Sequence, residues 1–220
     1  MTTPIFESTE PQPRAESFLD WFRINSRMVS VGAIIVVAVA FGVWFYNRSA
    51  ALKIENADKR LLSAKQSLST GNIPLAQTDL KRVADSYPGT SAGAEAGMLL
   101  AQLKLDQDDY QGANAALKDL TSKITSGPYA AALRALLGDS YAQLGKPAEA
   151  AAEYERAASM TTMPNERAWY LSKVGRAYAA AGNHDKERAA WEALAAQQDN
   201  AGLAAEAKIR LGELLATSAK

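Results

Sequence analysis

The most regular feature of the sequence is a step of 37 residues between small side chains. One small residue recurs at this step, in the order Ala64, Ala101, Gly138, Gly175 and Gly212. Apolar side chains lie three or four positions apart around each of them, which places them on one helical face. A repeat of this length predicts an array of stacked helix pairs rather than a globular enzyme.

Each repeat is predicted to contain two amphipathic helices. Sixteen positions after the small residue lies a large apolar one, in the order Leu80, Leu117, Tyr154 and Trp191. Turn-forming sequences separate the two helices of each pair at 71–74, 106–109, 145–147 and 182–183. We expect the small side chain to let the large one approach closely. An alanine-rich helical bundle would also show small residues at many spacings. Here, however, five columns of residues share the 37-residue register, where a column comprises the residues at one position of successive repeats.

The third repeat carries the clearest match to a known motif. The matching residues are Leu137, Gly138, Tyr141, Gly145, Ala150, Tyr154 and Ala157. In these residues the chain resembles the tetratricopeptide repeat, whose usual period is ~34. The fourth repeat matches with a lapse at Glu187, the segment 94–120 matches well, and 57–83 is degenerate. The last helix, at about 202–218, has no second helix and is expected to cap the array.

An uncharged apolar run, Met28 to Tyr46, precedes the repeats. As a helix it spans about 28 Å, close to the ~30 Å hydrocarbon core of a bilayer. A buried core helix would keep a polar stripe, and a cleaved signal peptide would have a shorter apolar region. We therefore predict a single transmembrane helix at 28–46 that contacts the lipid bilayer.

The predicted fold class is all-α. It comprises the single N-terminal transmembrane helix, followed over 47–220 by a tetratricopeptide-like α-solenoid of about four helix pairs plus a capping helix. Residues 1–27 are expected to form a tail with a short amphipathic helix on the membrane surface, around Phe18–Ile24. Basic residues near the apolar run favour a cytoplasmic repeat domain. Large domains translocate despite charge, however, so the orientation stays open.

Composition narrows the possible functions. The chain has 24 basic and 24 acidic residues, one histidine and no cysteine. The balanced charge predicts no nucleic-acid partner. Without cysteine there is no lipoprotein anchor, disulfide or thiolate zinc site. The lone His184 is expected to be a surface turn residue, and neither a phosphate-binding loop nor a nucleophile motif occurs. We expect no enzyme activity, cofactor or small-molecule substrate.

The candidate protein-binding residues come from the first helix of each pair, which lines the concave surface in tetratricopeptide arrays. They are Leu61, Lys65, Met98, Gln102, Asp139, Trp169, Ser172 and Arg176. An adaptable methionine and a tryptophan anchor within a mixed-charge groove suit protein binding. Alternatively, the polar columns are solvated and Trp169 packs against Met163 or the next repeat.

The whole layout resembles the YfgM-like proteins of bacteria, which are ancillary subunits of the SecYEG translocon. The resemblance lies in Phe18–Phe22, Trp44–Tyr46, Leu99–Leu120 and Trp191–Ala193. It implies a single-pass protein of the bacterial inner membrane with periplasmic repeats. It also implies two partners, the SecYEG translocon and a membrane-bound prolyl-isomerase-like chaperone. The expected function is a scaffold that helps transfer exported chains to periplasmic chaperones. A cytoplasm-facing adaptor for a membrane assembly or cell-division complex is the alternative.

Overall fold

The computed structural model describes residues 21, 24–197 and 200–218, and this part of the chain is helical without strands. Its helices are α1 (Ser26–Ser69), α2 (Ile73–Ser86), α3 (Ser91–Asp106), α4 (Tyr110–Lys123), α5 (Ala130–Gln143), α6 (Pro147–Met160), α7 (Pro164–Ala180), α8 (His184–Ala195) and α9 (Ala201–Ser218). Most of the tail expected at 1–27, including most of its amphipathic segment, lies outside the described residues.

The chain divides after Leu52 into two compact units. In the described part of the first unit, α1 contains an 18-residue window with a mean hydropathy of 2.5 and no buried residue. Ile34, Val37 and Phe41 each expose more than half of their surface. By length and composition, α1 is therefore a candidate to cross a membrane, and the span expected at 28–46 lies within it.

The second unit is the solenoid that the 37-residue step predicts, so the predicted fold class is confirmed. The C-terminal part of α1 pairs with α2, and the pairs α3/α4, α5/α6 and α7/α8 follow. From α2 onward, each helix packs against the next one along the chain. Helix α9 packs on α8 and α7 and is followed by no further helix in the described residues, as expected of a cap.

Each turn within a pair contains one residue of positive φ, seven positions after the small residue. These residues are Gly71 (φ 74°), Asp108 (φ 61°), Gly145 (φ 68°) and Gly182 (φ 69°). Glycine adopts this backbone freely, whereas an aspartate tolerates it as a single residue. The next residue caps the second helix through its side chain in three pairs, at Asn72, Asp109 and Asn183. In the remaining pair Pro147 is the first residue of the helix. Because proline has no backbone N–H, its nitrogen needs no capping acceptor.

The close approach of small and large residues is confirmed at Gly138 and Gly175. A Cβ atom on Gly138 would lie 2.5 Å from Cε1 of Tyr154. A Cβ atom on Gly175 would lie 2.5 Å from Cε2 of Trp191. These separations are far below van der Waals contact, so the two aromatic rings pack directly against the backbone of the preceding helix.

The hydrophobic core is a series of clusters that follow one another along the solenoid. One cluster joins Ala101 of α3 to Leu117 of α4 and Leu133 of α5. Another joins Trp191 of α8 to Ala207 of α9. Because each cluster draws on the next first helix, no pair buries its apolar face alone, and the repeats depend on their neighbours.

Candidate protein-binding face

The first helices of successive pairs share one surface. We call it the first-helix face and define it by Lys65, Gln102, Asp139 and Arg176, each one position after the small residue. Helix α3 contacts α5 directly, and α7 contacts α9. The residues of this face therefore come from neighbouring helices of the array.

Three ion pairs cross this face between successive first helices. Lys65 of α1 binds Glu95 of α3. Lys173 of α7 donates to Asp139 of α5 at 2.5 Å. The third pair joins Arg176 of α7 to both carboxylate oxygens of Glu206 in α9, at 2.8 and 3.0 Å. Much of the mixed charge that the sequence predicts here is thus bonded between adjacent repeats.

The step from α3 to α5 differs from the other three. Gln102 occupies the position that carries a charge in the other first helices, and the facing position, six before Gly138, is Ala132. The Gln102 side chain donates instead to Asp106 in its own helix, at 2.9 Å. This step therefore presents a carboxamide and an exposed carboxylate at the position where the others carry an ion pair.

Asp139 is the centre of a polar network that joins three helices. Its Oδ1 accepts from the Tyr154 hydroxyl of α6 at 2.6 Å and from Lys173 of α7 at 2.5 Å. The Lys173 Nζ also lies 5.3 Å from the ring centroid of Tyr154 and 5.7 Å from that of Trp169. Burial, together with the Asp139 charge, raises the pKa of Tyr154 well above its usual value. The hydroxyl therefore stays a proton donor at neutral pH.

Of the eight candidate residues, five present side chains at the surface of the array: Lys65, Gln102, Asp139, Trp169 and Arg176. Trp169 is 50% exposed beside the Lys173 ammonium. Met98 is half-buried against the α3–α5 cluster. Leu61 (6% exposed) and Ser172 (0%) lie in the core, where they have no free surface for a partner. In their column, three positions before the small residue, Ala135 is buried as well, whereas Ile209 of the last helix is 63% exposed.

Lys173 is a residue of this face that sequence reasoning missed. It stands two positions before Gly175, in a column that reads Leu62, Leu99, Leu136, Lys173 and Arg210. The change from leucine to a basic residue within one column was the available signal. It marks the point where the column meets the acidic side chain of a neighbouring first helix.

The lapse at Glu187 has a structural reason. The side chain is buried, and its Oε1 accepts from the indole Nε1 of Trp191 at 3.3 Å. Its other oxygen lies 3.0 Å from Nδ1 of the exposed His184. No group of three or more potential metal ligands occurs in the described residues. The carboxylate therefore acts as the hydrogen-bond acceptor that a buried tryptophan requires.

Two cavities open beside the first-helix face. The first, of about 320 Å³, is lined by residues of α3, α4, α5 and α7, among them Gln102, Asp106 and Asp139. The second, of about 380 Å³, is lined by residues of α7, α8 and α9, among them Arg176 and Trp191. Both fall within the lower range of cavities that hold ligand groups in proteins.

Comparison with known proteins identifies the repeat. The model of the tetratricopeptide repeat-like domain family matches residues 20–123 and 57–174. No curated protein matches the sequence at a significant level.

Solved structures share the fold at low sequence identity. A tetratricopeptide repeat protein from Parabacteroides merdae matches with a TM-score of 0.59 at 14% identity, over 74% of this chain and 61% of that one. BtubC (BKLC) from P. vanneervenii matches with a TM-score of 0.54 at 15% identity, over 63% and 61%. PilF of Pseudomonas aeruginosa matches with a TM-score of 0.57 at 16% identity, over 76% and 70%. This chain thus spans about three fifths of the length of the first two.

Proposed function

Because the chain belongs to the tetratricopeptide repeat-like domain family, whose repeats typically form non-enzymatic scaffolds for protein binding, we propose that it is a membrane-anchored scaffold at the Sec translocon. In this role it binds the translocon and assists the transfer of exported chains to periplasmic chaperones. The resemblance to YfgM-like proteins supports SecYEG and a membrane-bound prolyl-isomerase-like chaperone as the partners.

The observation that carries the binding role is Trp169 on the first-helix face. Half of its surface is exposed, although tryptophan offers more apolar area than any other side chain. Lys173 lies against its ring and is itself held by Asp139. A half-exposed aromatic residue on a face braced by ion pairs is an anchor that loses little conformational freedom on binding.

The proposed domain organisation places a tail at 1–27, a transmembrane helix at 28–46 and the repeat domain at 47–220. The anchor resides in the bacterial inner membrane, with the repeats in the periplasm. Tethering raises the local concentration of the binding face next to the translocon, so weak contacts with each exported chain are sufficient.

The topology is tested with a single cysteine, since the chain has none of its own. Ala189 is exposed on α8, and an Ala189→Cys variant is treated with a membrane-impermeant maleimide. The proposal predicts labelling once the outer membrane alone is permeabilised. Labelling only after rupture of the inner membrane would support the cytoplasm-facing adaptor instead, which the basic residues Arg48, Lys53, Lys59, Arg60 and Lys65 favour.

The partner assignment is tested by affinity purification of the tagged full-length protein after crosslinking in cells. We expect SecYEG subunits and the chaperone with the unaltered chain, and a severalfold loss with Trp169→Ala combined with Arg176→Glu. Glu192→Gln, an exposed change on α8, is the control and retains both partners. Unchanged recovery with the double variant would refute the assignment to the first-helix face, and absence of SecYEG throughout would refute the translocon role.

A further inference from the structure

The two cavities occupy the same register, two repeats apart. Four residues of the first cavity correspond to four of the second at a spacing of 74 residues: Gln102 with Arg176, Leu105 with Ala179, Tyr110 with His184, and Asp139 with Glu213. Each cavity therefore lies between the C-terminal half of a first helix, the start of its second helix and the next first helix. The array thus forms the same hollow twice.

We propose that these cavities are two side-chain subsites for one extended peptide segment of a partner protein. The segment crosses the first-helix face and places one anchor side chain in each cavity. This inference rests on the proposed protein-binding function and specifies the chemistry of the segment that is bound.

The distance between the cavities sets the spacing of the anchors. Helices that pack directly have axes 8–10 Å apart. Helix α3 contacts α5, and α5 is joined to α7 by the Lys173–Asp139 pair, so the two-repeat separation is roughly 20 Å. An extended chain advances about 3.3 Å per residue. The two anchors are therefore about six residues apart.

The first cavity favours a basic side chain, because acceptor atoms dominate it. The Asp106 carboxylate is exposed. Gln102 donates its amide N–H to this carboxylate, so the side-chain carbonyl oxygen of Gln102 can accept from a donor of the bound segment. Among the described residues that line this cavity, Lys173 is the one cation, and it is already bonded to Asp139. An arginine guanidinium supplies five donors in a plane, and the ring of Tyr110 lines the same space.

The second cavity favours a large apolar side chain. Its wall includes Ala179, Trp191 and Leu214. The charges around it are bonded to one another, because Arg176 binds Glu206 and Arg210 binds Glu213 at 3.0 Å. The Trp191 N–H is bonded to Glu187 and the indole is almost completely buried, so it adds no donor to the cavity. Such a site gains most from burying hydrocarbon.

The test uses the full-length protein in lipid nanodiscs and a phage-displayed library of random 12-residue peptides. We expect the selected peptides to carry arginine and a leucine or phenylalanine about six positions apart. Synthetic copies are then measured by fluorescence anisotropy. Replacing the arginine by glutamine, or shortening the spacing by three residues, should weaken binding at least fivefold.

Variants of the protein locate each anchor. Asp106→Asn should weaken the arginine-containing peptides at least fivefold, and Ala179→Leu should weaken them similarly by filling the second cavity. Both positions are exposed, and circular dichroism checks that the helices are retained. Glu192→Gln and Ala189→Leu make matched changes on α8 and should leave binding unchanged.

The outcomes separate this inference from the proposed function. If peptides bind and Trp169→Ala weakens them, while Asp106→Asn, Ala179→Leu and the altered spacing have no effect, the two-subsite inference is overturned and the protein-binding role stands. If the library yields no peptide whose binding depends on Trp169, Asp106 or Ala179, both the two-subsite inference and the assignment of binding to the first-helix face are overturned.

Discussion

At the residue scale, the four repeats fill the same position of the second helix with different large side chains. The second helix contributes leucine twice, then Tyr154 and Trp191, and the two aromatic residues require glycine in the facing first helix. Each aromatic residue also brings a polar atom into the core. Asp139 accepts from the Tyr154 hydroxyl, and Glu187 accepts from the Trp191 indole. The departure of Glu187 from the alanine found in the other repeats thus compensates for the tryptophan.

Two glycines at the same register provide a matched pair of substitutions. Gly175→Ala places a Cβ atom 2.5 Å from the buried Trp191 ring and should destabilise the fold by about 1–3 kcal/mol. At Gly212 nothing lies within 4 Å of the added atom, so Gly212→Ala should stabilise α9 by about 0.5–1 kcal/mol. Thermal unfolding followed by circular dichroism distinguishes the two. Equal effects at both positions would refute the packing argument.

The link between Glu187 and Trp191 predicts a coupling energy. Glu187→Ala leaves the buried indole N–H without its acceptor and should cost about 1–3 kcal/mol. In a Trp191→Phe background there is no indole N–H to satisfy, so the same change should cost at least about 1 kcal/mol less. A double-mutant cycle of unfolding free energies measures this difference. Additive effects would mean that the carboxylate does not serve the indole.

At the element scale, the order of the helices and the turns between them could be predicted from the sequence, because both depend on local chemistry. The small residues, the large residues sixteen positions later and the turn residues recur in one register, and Gly71, Gly145 and Gly182 take the backbone that only glycine adopts freely. The orientation of each column could not be predicted in the same way. Leu61 and Ser172 proved to be buried, because the facing direction depends on how neighbouring helices cross.

The candidate binding face could be predicted only in part, for the same reason. Its defining column was found from register, but the partners of Lys65 and Arg176 lie in the next repeat and depend on how the first helices stack. The positive φ of Asp108 could not be predicted either, because an aspartate in the sequence does not indicate a left-handed backbone as a glycine does. Long-range contacts of this kind follow from packing rather than from local pattern.

The network that joins α5, α6 and α7 predicts a dependence of stability on pH. The pKa of Tyr154 in the folded protein is raised by burial and by Asp139, whereas an unfolded tyrosine loses its proton near pH 10. Above that pH the unfolded chain releases a proton that the folded chain retains, so stability falls as pH rises. The slope from one such group is about 1.4 kcal/mol per pH unit.

The unfolding free energy measured between pH 8 and pH 11 checks this expectation. Tyr154→Phe should unfold more easily at pH 8, because the hydrogen bond to Asp139 is lost. It should also show a shallower decline above pH 10. Tyr170 and Tyr178, whose pKa values are raised as well, contribute to the slope that remains, together with Tyr110, Lys81 and Lys186. A decline as steep as that of the unaltered protein would show that Tyr154 does not contribute.

At the scale of the whole molecule, the chain combines a candidate membrane helix with a solenoid of tetratricopeptide-like repeats, a fold that typically serves as a scaffold for protein binding. On the first-helix face of the solenoid, ion pairs join successive repeats, and Trp169 and two cavities are accessible there. Such an arrangement fixes the shape of a surface before a partner arrives, which lowers the entropic cost of binding.

The most direct test of this account is photo-crosslinking in cells from single positions of the full-length protein. A photoreactive amino acid is placed at Gln102 or Gln143 on the first-helix side, and at Ala189 or Glu192 on α8. We predict that Gln102 and Gln143 give adducts with the same partner proteins and that the two α8 positions give none of these adducts. Equal adducts from all four positions, or adducts from α8 alone, would contradict the claim that the first-helix face is the docking surface.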